Sequence, residues 1–272
     1  GNVYGIVHFT DQLDFKSSIG IDYSSTSSSD LNPVRLEDQE QQTTNRFTEW
    51  NGVYSETTFS NTLNYNGSFG DHSIKPIVGI EFNVRKNRTF FGYRNSFASE
   101  SQDFLYLDAG PAGDQFNGGN GSQVYLFSYF GKVDYSYKDK FFASTSVRVD
   151  QSSRYVKENR TGLFPTFGLA WSLSEEDFIK NLNTFDNLRL RLAWGQSGNS
   201  ETPNGYPTAS TFGLNGTTNN YDINGSSSSA LTGYASNIDG NPNLKWETAE
   251  TLDVALEFGL LNNSLNVEVG YY

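Results

Sequence analysis

Residues 124–150 read VYLFSYFGKVDYSYKDKFFASTSVRVD, and every second side chain from Tyr125 falls into an uncharged row of Tyr125, Phe127, Tyr129, Gly131, Val133, Tyr135 and Tyr137. The other row is polar, with Ser128, Lys132, Asp134 and Ser136. After a tight turn at Lys138, Asp139 and Lys140, Ala143, Thr145, Val147 and Val149 continue the apolar row, and Ser144, Ser146, Arg148 and Asp150 continue the polar one. Side chains alternate faces along a strand, so this is a ribbon with one apolar side and one that keeps its charges in water. A soluble sandwich also alternates. Strands of roughly ten or more residues with aromatics at both ends of the apolar row match strands that cross an outer membrane.

Composition points the same way. Hydrophobic residues make up 36% of the 272 residues, yet aromatics reach 15%, with 16 Tyr and 21 Phe. A soluble core leans on Leu, Ile and Val, whereas a barrel with a wet interior and an aromatic rim does not. No stretch approaches the roughly 18 apolar residues of a helical span. The net charge of −12 argues against a nucleic-acid partner, which needs clustered Lys and Arg. With no cysteine there is neither a disulfide framework nor a thiolate metal site. Position 1 is not Met and no basic-then-apolar leader follows, so the chain reads as a mature product or an internal piece.

The same alternation recurs along the chain. It predicts strands at 1–10, at 15–23, at 61–69 and 73–84 paired across Gly70 and Asp71, at 163–173, at 188–194, and in a final hairpin turning at Asn262 and Asn263. Ser174 with Asp177 three residues on resembles a capping box and predicts a short helix. Residues 24–56, 86–123 and 196–244, rich in Ser, Asn and Gly, read as long loops. The expected fold is all-β: about ten antiparallel strands with short turns at one end and long loops at the other, a segment of a larger transmembrane barrel.

The runs at 61–82, 128–155 (SYFGKVDYSYKDKFFASTSVRVDQSSRY), 164–180 (FPTFGLAWSLSEEDFIK), 188–199 (LRLRLAWGQSGN) and 240–272 (GNPNLKWETAETLDVALEFGLLNNSLNVEVGYY) resemble the barrel of SusC/RagA-like TonB-dependent transporters of Bacteroidota. The loops show no such match. The resemblance implies a barrel of about 22 strands in the outer membrane of a Gram-negative bacterium. It also implies periplasmic turns, extracellular loops, import of nutrients driven by the TonB complex through an N-terminal part, and a SusD-like surface lipoprotein. This sequence contains no plug, so residues 1–272 are expected to form part of a single barrel domain.

On this reading Tyr125, Phe127, Tyr129, Val133, Leu252, Val254, Leu256 and Phe258 face outer-membrane lipid, and Lys132, Asp134, Arg148, Arg189, Arg191, Asp253 and Glu257 face the lumen. Outer aromatics set among amides and hydroxyls, namely Trp50, Tyr54, Phe90, Phe91, Tyr93, Tyr206, Tyr221 and Tyr234, suit an oligosaccharide or peptide substrate, although packing of loop on loop or against a partner lipoprotein is the more ordinary use of such rings. Catalytic chemistry finds no foothold. His8 and His72 lie in or beside different hairpins, no nucleophile elbow or P-loop is present, and Gly118, Gly119 and Gly121 signal a loop without a following helix. Neither a metal nor a cofactor is expected. Two other readings share the pattern: a barrel kept as a structural or docking component of a surface assembly, and a soluble secreted β-protein.

Overall fold

The computed structural model describes residues 1–37, 41–201, 208–222, 225 and 231–272; of 214–219 only the backbone is described. Among the described residues thirteen strands follow in chain order: β1 (Asn2–His8), β2 (Leu13–Asn32), β3 (Arg46–Tyr65), β4 (Gly67–Phe69), β5 (His72–Asn95), β6 (Gln115–Tyr137), β7 (Phe141–Ser152), β8 (Thr161–Ser172), β9 (Asn187–Asn199), β10 (Thr211–Tyr221), β11 (Leu231–Ile238), β12 (Glu247–Leu260) and β13 (Leu265–Tyr271). One sheet takes all but two of them in the order β1-β2-β3-β5-β6-β7-β8-β9-β12-β13, with β4 paired to β5, while β10 and β11 form a sheet of their own. Neighbours in sequence are neighbours in space, so successive connections alternate between the two ends of the strands. The connections at 9–12, 70–71, 138–140 and 261–264, all of four residues or fewer, therefore share one end with 173–186, and 33–45, 96–114 and 200–246 share the other with 153–160. Such segregation is the asymmetry expected of outer-membrane strands.

The chain divides into two compact units. The first comprises Gly1–Val3, Ile19–Thr58 and Asn83–Val124. Its small apolar core is Phe47, Phe97 and Leu105, with Phe47 and Phe97 edge to face at 5.9 Å. Asn45, buried beside them, donates to the Phe97 carbonyl at 3.0 Å and accepts from the Phe97 amide at 2.7 Å, which ties the 96–114 connection to the start of β3. The second unit comprises Tyr4–Ser18, Phe59–Phe82 and Tyr125–Tyr272. In it Phe164, Tyr155 and Trp246 cluster, with ring centroids 5.3 and 5.5 Å from Trp246.

Several expectations need correction. The strands extend much further than the alternation suggested: β2 and β3 take up most of 24–56, and β5 and β6 half of 86–123. At about 3.3 Å per residue the 20 residues of β2 span about 66 Å, whereas about 9–11 residues cross a bilayer. The excess lies beyond a bilayer's thickness, so no continuous apolar row is needed there. Gly118, Gly119 and Gly121 lie inside β6 and not in a loop. A Cβ on Gly118 would come within 2.8 Å of the Phe91 ring, and one on Gly119 within 2.7 Å of the Thr89 carbonyl oxygen. These glycines are there for close approach.

The strand predicted at 61–69 is broken at Asn66, whose amide donates to the Gln12 carbonyl at 2.8 Å, so β3 ends and β4 begins there. The 196–244 stretch contains the end of β9 and the β10–β11 hairpin. A short helix does follow Ser174, at Asp177–Lys180, but its N-cap is Glu176 and no side chain caps it. Lys138 and Asp139, with φ of 55° and 51°, supply the left-handed pair that closes the β6–β7 turn.

Candidate functional site

The register of the second unit carries each row across the whole run of strands. Tyr129 pairs with Val149 and Val149 with Leu163; Val133 pairs with Thr145, Thr145 with Phe167, Phe167 with Trp194 and Trp194 with Leu252. Val254 pairs with Leu192, Leu256 with Leu190 and Phe258 with Leu188. On the apolar face Phe82 and Tyr125 stack at 6.1 Å, Phe127 meets Tyr129 edge-on at 4.7 Å, and Phe141 stacks on Trp171 at 5.8 Å. The eight residues expected on this face all lie on it, and Tyr125, Tyr129, Leu252, Val254 and Leu256 are exposed.

The opposite face gathers the seven expected charges. Arg148 bridges Glu81 at 2.9 Å and Asp150 at 2.8 Å and donates to Ser128 at 2.8 Å. Lys132 sits 2.8 Å from Asp134, which also accepts from Ser144 at 2.7 Å. Arg191 reaches Glu257 at 3.0 Å and Glu268 at 2.6 Å. Arg189 pairs in register with Glu257 and lies 5.4 Å over the Phe142 ring, and Asp253 stands on the same row opposite Ala193. Ion pairs between part-exposed side chains are individually weak, so these networks add little to stability.

Sequence reasoning missed two parts of this face. Glu81, which the alternation already sets on the polar row of its strand, and Glu268 complete its networks, and a strand partner could only be named once register was known. Phe130, Phe142 and Phe164 break the polar row. Phe164 is 6% exposed, and Cβ atoms on Gly162 and Gly198 would lie 2.5 and 1.9 Å from its ring. A glycine two residues before it on β8 and another on the neighbouring β9 therefore make room for the ring, and the Gly-x-Phe spacing was the available signal.

The outer aromatics sort into separate places. In the first unit, the even positions of β3 and the odd positions of β5 share a face, since Asn83 donates to Glu56 at 2.6 Å and to Thr58 at 2.8 Å. Trp50, Tyr54, Phe91 and Tyr93 lie on it. Trp50 lies along its own strand over Gly52, Tyr54 donates to Glu56, and Arg46 stacks 4.3 Å from the Tyr93 ring. Phe116 joins Tyr93 at 5.0 Å and Phe91 at 6.1 Å. Phe90, one residue from Phe91, points to the other face. In the second unit, Tyr221 and Tyr234 sit exposed on β10 and β11. Tyr206 lies outside the described residues. Among the described residues no His, Cys, Asp and Glu group could hold a metal ion.

A pronounced electrostatic anchor stands at the short-turn end. Lys140 Nζ donates to Glu176 Oε2 at 2.6 Å and Trp171 Nε1 to Glu176 Oε1 at 2.9 Å. The hydrogen bond from the Lys140 ammonium holds the Glu176 carboxyl below the usual carboxylate range.

Comparison with known proteins places this geometry. The family model described as TonB dependent receptor-like, beta-barrel, matches residues 3–272. TonB-dependent receptor P3 of Formosa agariphila is 29% identical over 283 aligned residues, covering 100% of this chain and 26% of that protein. TonB-dependent receptor SusC of Bacteroides thetaiotaomicron is 28% identical, covering 97% of this chain and 25% of that protein. Among solved structures, the RagAB peptide transporter superposes with a TM-score of 0.81 at 25% identity, over 99% of this chain and 29% of its own. The chain thus spans about a quarter of the length of the curated relatives it matches.

Proposed function

Since the chain belongs to the TonB-dependent receptor β-barrel family, a family of outer-membrane transport proteins without enzymatic activity, we propose that it forms part of the wall of an importer for peptides or oligosaccharides. The apolar face of β6–β9, β12 and β13 meets lipid, and the face of Arg148, Arg189, Arg191, Lys132, Asp134, Asp253 and Glu257 lines the water-filled interior. What carries this reading is the apolar row that runs in register across six strands while the named charges gather on the opposite face, since a wall between lipid and water needs its two faces divided. Import consists of binding and movement, with no covalent step. Energy enters through the TonB complex by way of an N-terminal part, and a SusD-like lipoprotein acts with the barrel at the cell surface.

The substrate is met by the face of Trp50, Tyr54, Phe91 and Tyr93. Flat rings beside Glu56, Arg46 and Asn83 combine apolar area with both signs of charge and an amide, which suits a peptide backbone and its side chains. The likeness to RagAB, described as a peptide transporter, favours peptides over oligosaccharides. The test is uptake of a labelled peptide pool by cells carrying the full-length receptor, with and without functional TonB. Uptake should require TonB, and replacing Trp50 and Tyr54 together by Ala should reduce it several-fold at unchanged surface level. TonB-independent accumulation would refute the import reading, and oligosaccharide uptake alone would refute the substrate.

A further inference from the structure

The connection from β8 to β9, residues 173–186, is fastened near both ends to side chains of the apolar row. Trp171 and Phe258 belong to that row, the first paired with Phe141 and Leu190 and the second with Leu188. Glu176 accepts from Trp171 Nε1 at 2.9 Å, and Phe185 meets the Phe258 ring edge to face at 6.2 Å. The connection therefore lies back against the apolar side of the wall. Asp186 holds its end there, since its amide donates to the Gly259 carbonyl at 2.9 Å and its carboxylate accepts from the Asn263 amide at 2.9 Å.

Between these fastenings stands the one-turn helix Asp177–Lys180. The Asn181 amide donates to the Asp177 carbonyl and that of Leu182 to Ile179, which carries the winding on to Leu182. Positions 178 and 182, four apart, share a side of such a turn. Both are large, apolar and turned away from the protein, with Phe178 60% and Leu182 57% exposed. Lys180 stands on another side and pairs with Glu175 at 2.8 Å. The turns at 70–71 and 138–140, at the same end of the strands, are Gly-Asp and Lys-Asp-Lys, as solvated turns are. An apolar pair rimmed by charges on an outward-folded connection marks a contact surface.

We infer that Phe178 and Leu182 enter the periplasmic leaflet of the outer membrane, so that the 173–186 connection is a foot on which this side of the wall rests. Its occupant follows from continuity: the side of the wall to which Glu176 and Phe185 fasten it is the side that meets lipid, and at the short-turn end that lipid is the inner leaflet. A short amphipathic segment lies in the plane of the interface with its apolar side sunk about 5–10 Å. The Glu175–Lys180 pair then stays in the headgroup water. Displacing the wall toward the periplasm would draw both apolar side chains out of lipid. This inference rests on the outward orientation proposed above.

The experiment uses the full-length receptor, free of other cysteines, in vesicles of phosphatidylethanolamine and phosphatidylglycerol. A nitroxide is attached through Phe178→Cys, Leu182→Cys or Lys180→Cys, with Val254→Cys on the apolar row as the lipid reference, and its relaxation by oxygen is compared with that by a water-soluble nickel chelate. Oxygen should be the stronger agent by several-fold at 178 and 182, as at 254, and the chelate the stronger at 180. Heat-modifiable migration on gels should be the same for all variants, showing a folded barrel. A stronger effect of the chelate at 178 or 182 overturns the foot, and a label at 180 that reads as lipid overturns its one-sided seating. Labels at 178 and 182 shielded from both agents mean that protein covers the helix, with spin–spin broadening marking a second copy, and overturn lipid as the occupant. If the label at 254 reads as water, it is the outward orientation that has failed; if 254 reads as lipid while 178 and 182 do not, only this inference falls.

Discussion

At the scale of single residues, neighbouring positions on one strand are expected to answer opposite solvents. Val133 sits in the apolar row opposite Thr145, and Asp134, next along, pairs with Lys132 and accepts from Ser144. Val133→Arg in the full-length receptor should impair insertion by about 2–4 kcal/mol near mid-membrane. Asp134→Arg loses one exposed ion pair and one hydrogen bond and leaves lipid untouched, so it should cost far less. Folding into vesicles across a urea series measures both, and equal costs would contradict the assignment of faces. These two rows were legible in the sequence because two solvents press on one strand. Phe164 was not: it interrupts a polar row, and only the register shows that Gly198 on β9 leaves it space beside Gly162.

At the scale of elements, what the sequence hid was length. From 13 to about 23 β2 alternates, but from Ser24 to Asn32 it is still a strand although its residues are mostly Ser, Thr and Asp, because a ladder in water needs hydrogen bonds and no apolar face. The β10–β11 hairpin hid for the same reason. The short turn after β8 was legible as a helix, though its anchor was not. Glu176 joins it to Lys140 in the preceding turn and to Trp171 at the end of β8. Because Lys140 depresses the folded-state pKa of Glu176, the stabilisation it gives is present above the ordinary glutamate value of about 4.3 and is lost as pH falls through the lower folded value. Protection factors of the amides across 173–186, taken against the intrinsic exchange rate at each pH, should therefore fall in acid, and Glu176→Gln should lower them already at neutral pH and flatten their dependence on acid. Identical acid profiles for the two proteins would remove Glu176 from this role.

At the scale of the whole molecule, the sheet order is a path with two ends. Among the described residues β1 pairs only with β2 and β13 only with β12. An edge strand presents unpaired N–H and C=O groups, and hydrocarbon supplies nothing to satisfy them. Val269 and Tyr271, on the outer row of β13, are among the most exposed large apolar residues, so the edge is apolar as well as unpaired. Residues 1–272 produced alone should therefore enter detergent micelles as oligomers, with fast amide exchange on β1 and β13, whereas the same residues within the full-length receptor should be monomeric and slow at both strands. Light scattering coupled to size exclusion, with exchange read by mass spectrometry, compares the two. A monomer protected at β1 and β13 would mean that these strands find partners within the 272 residues, and the wall would then have to be a closed barrel of its own. A shared wall requires the opposite result: the strands that divide lipid from water in the interior of the sheet have to borrow their outermost hydrogen bonds from strands beyond it.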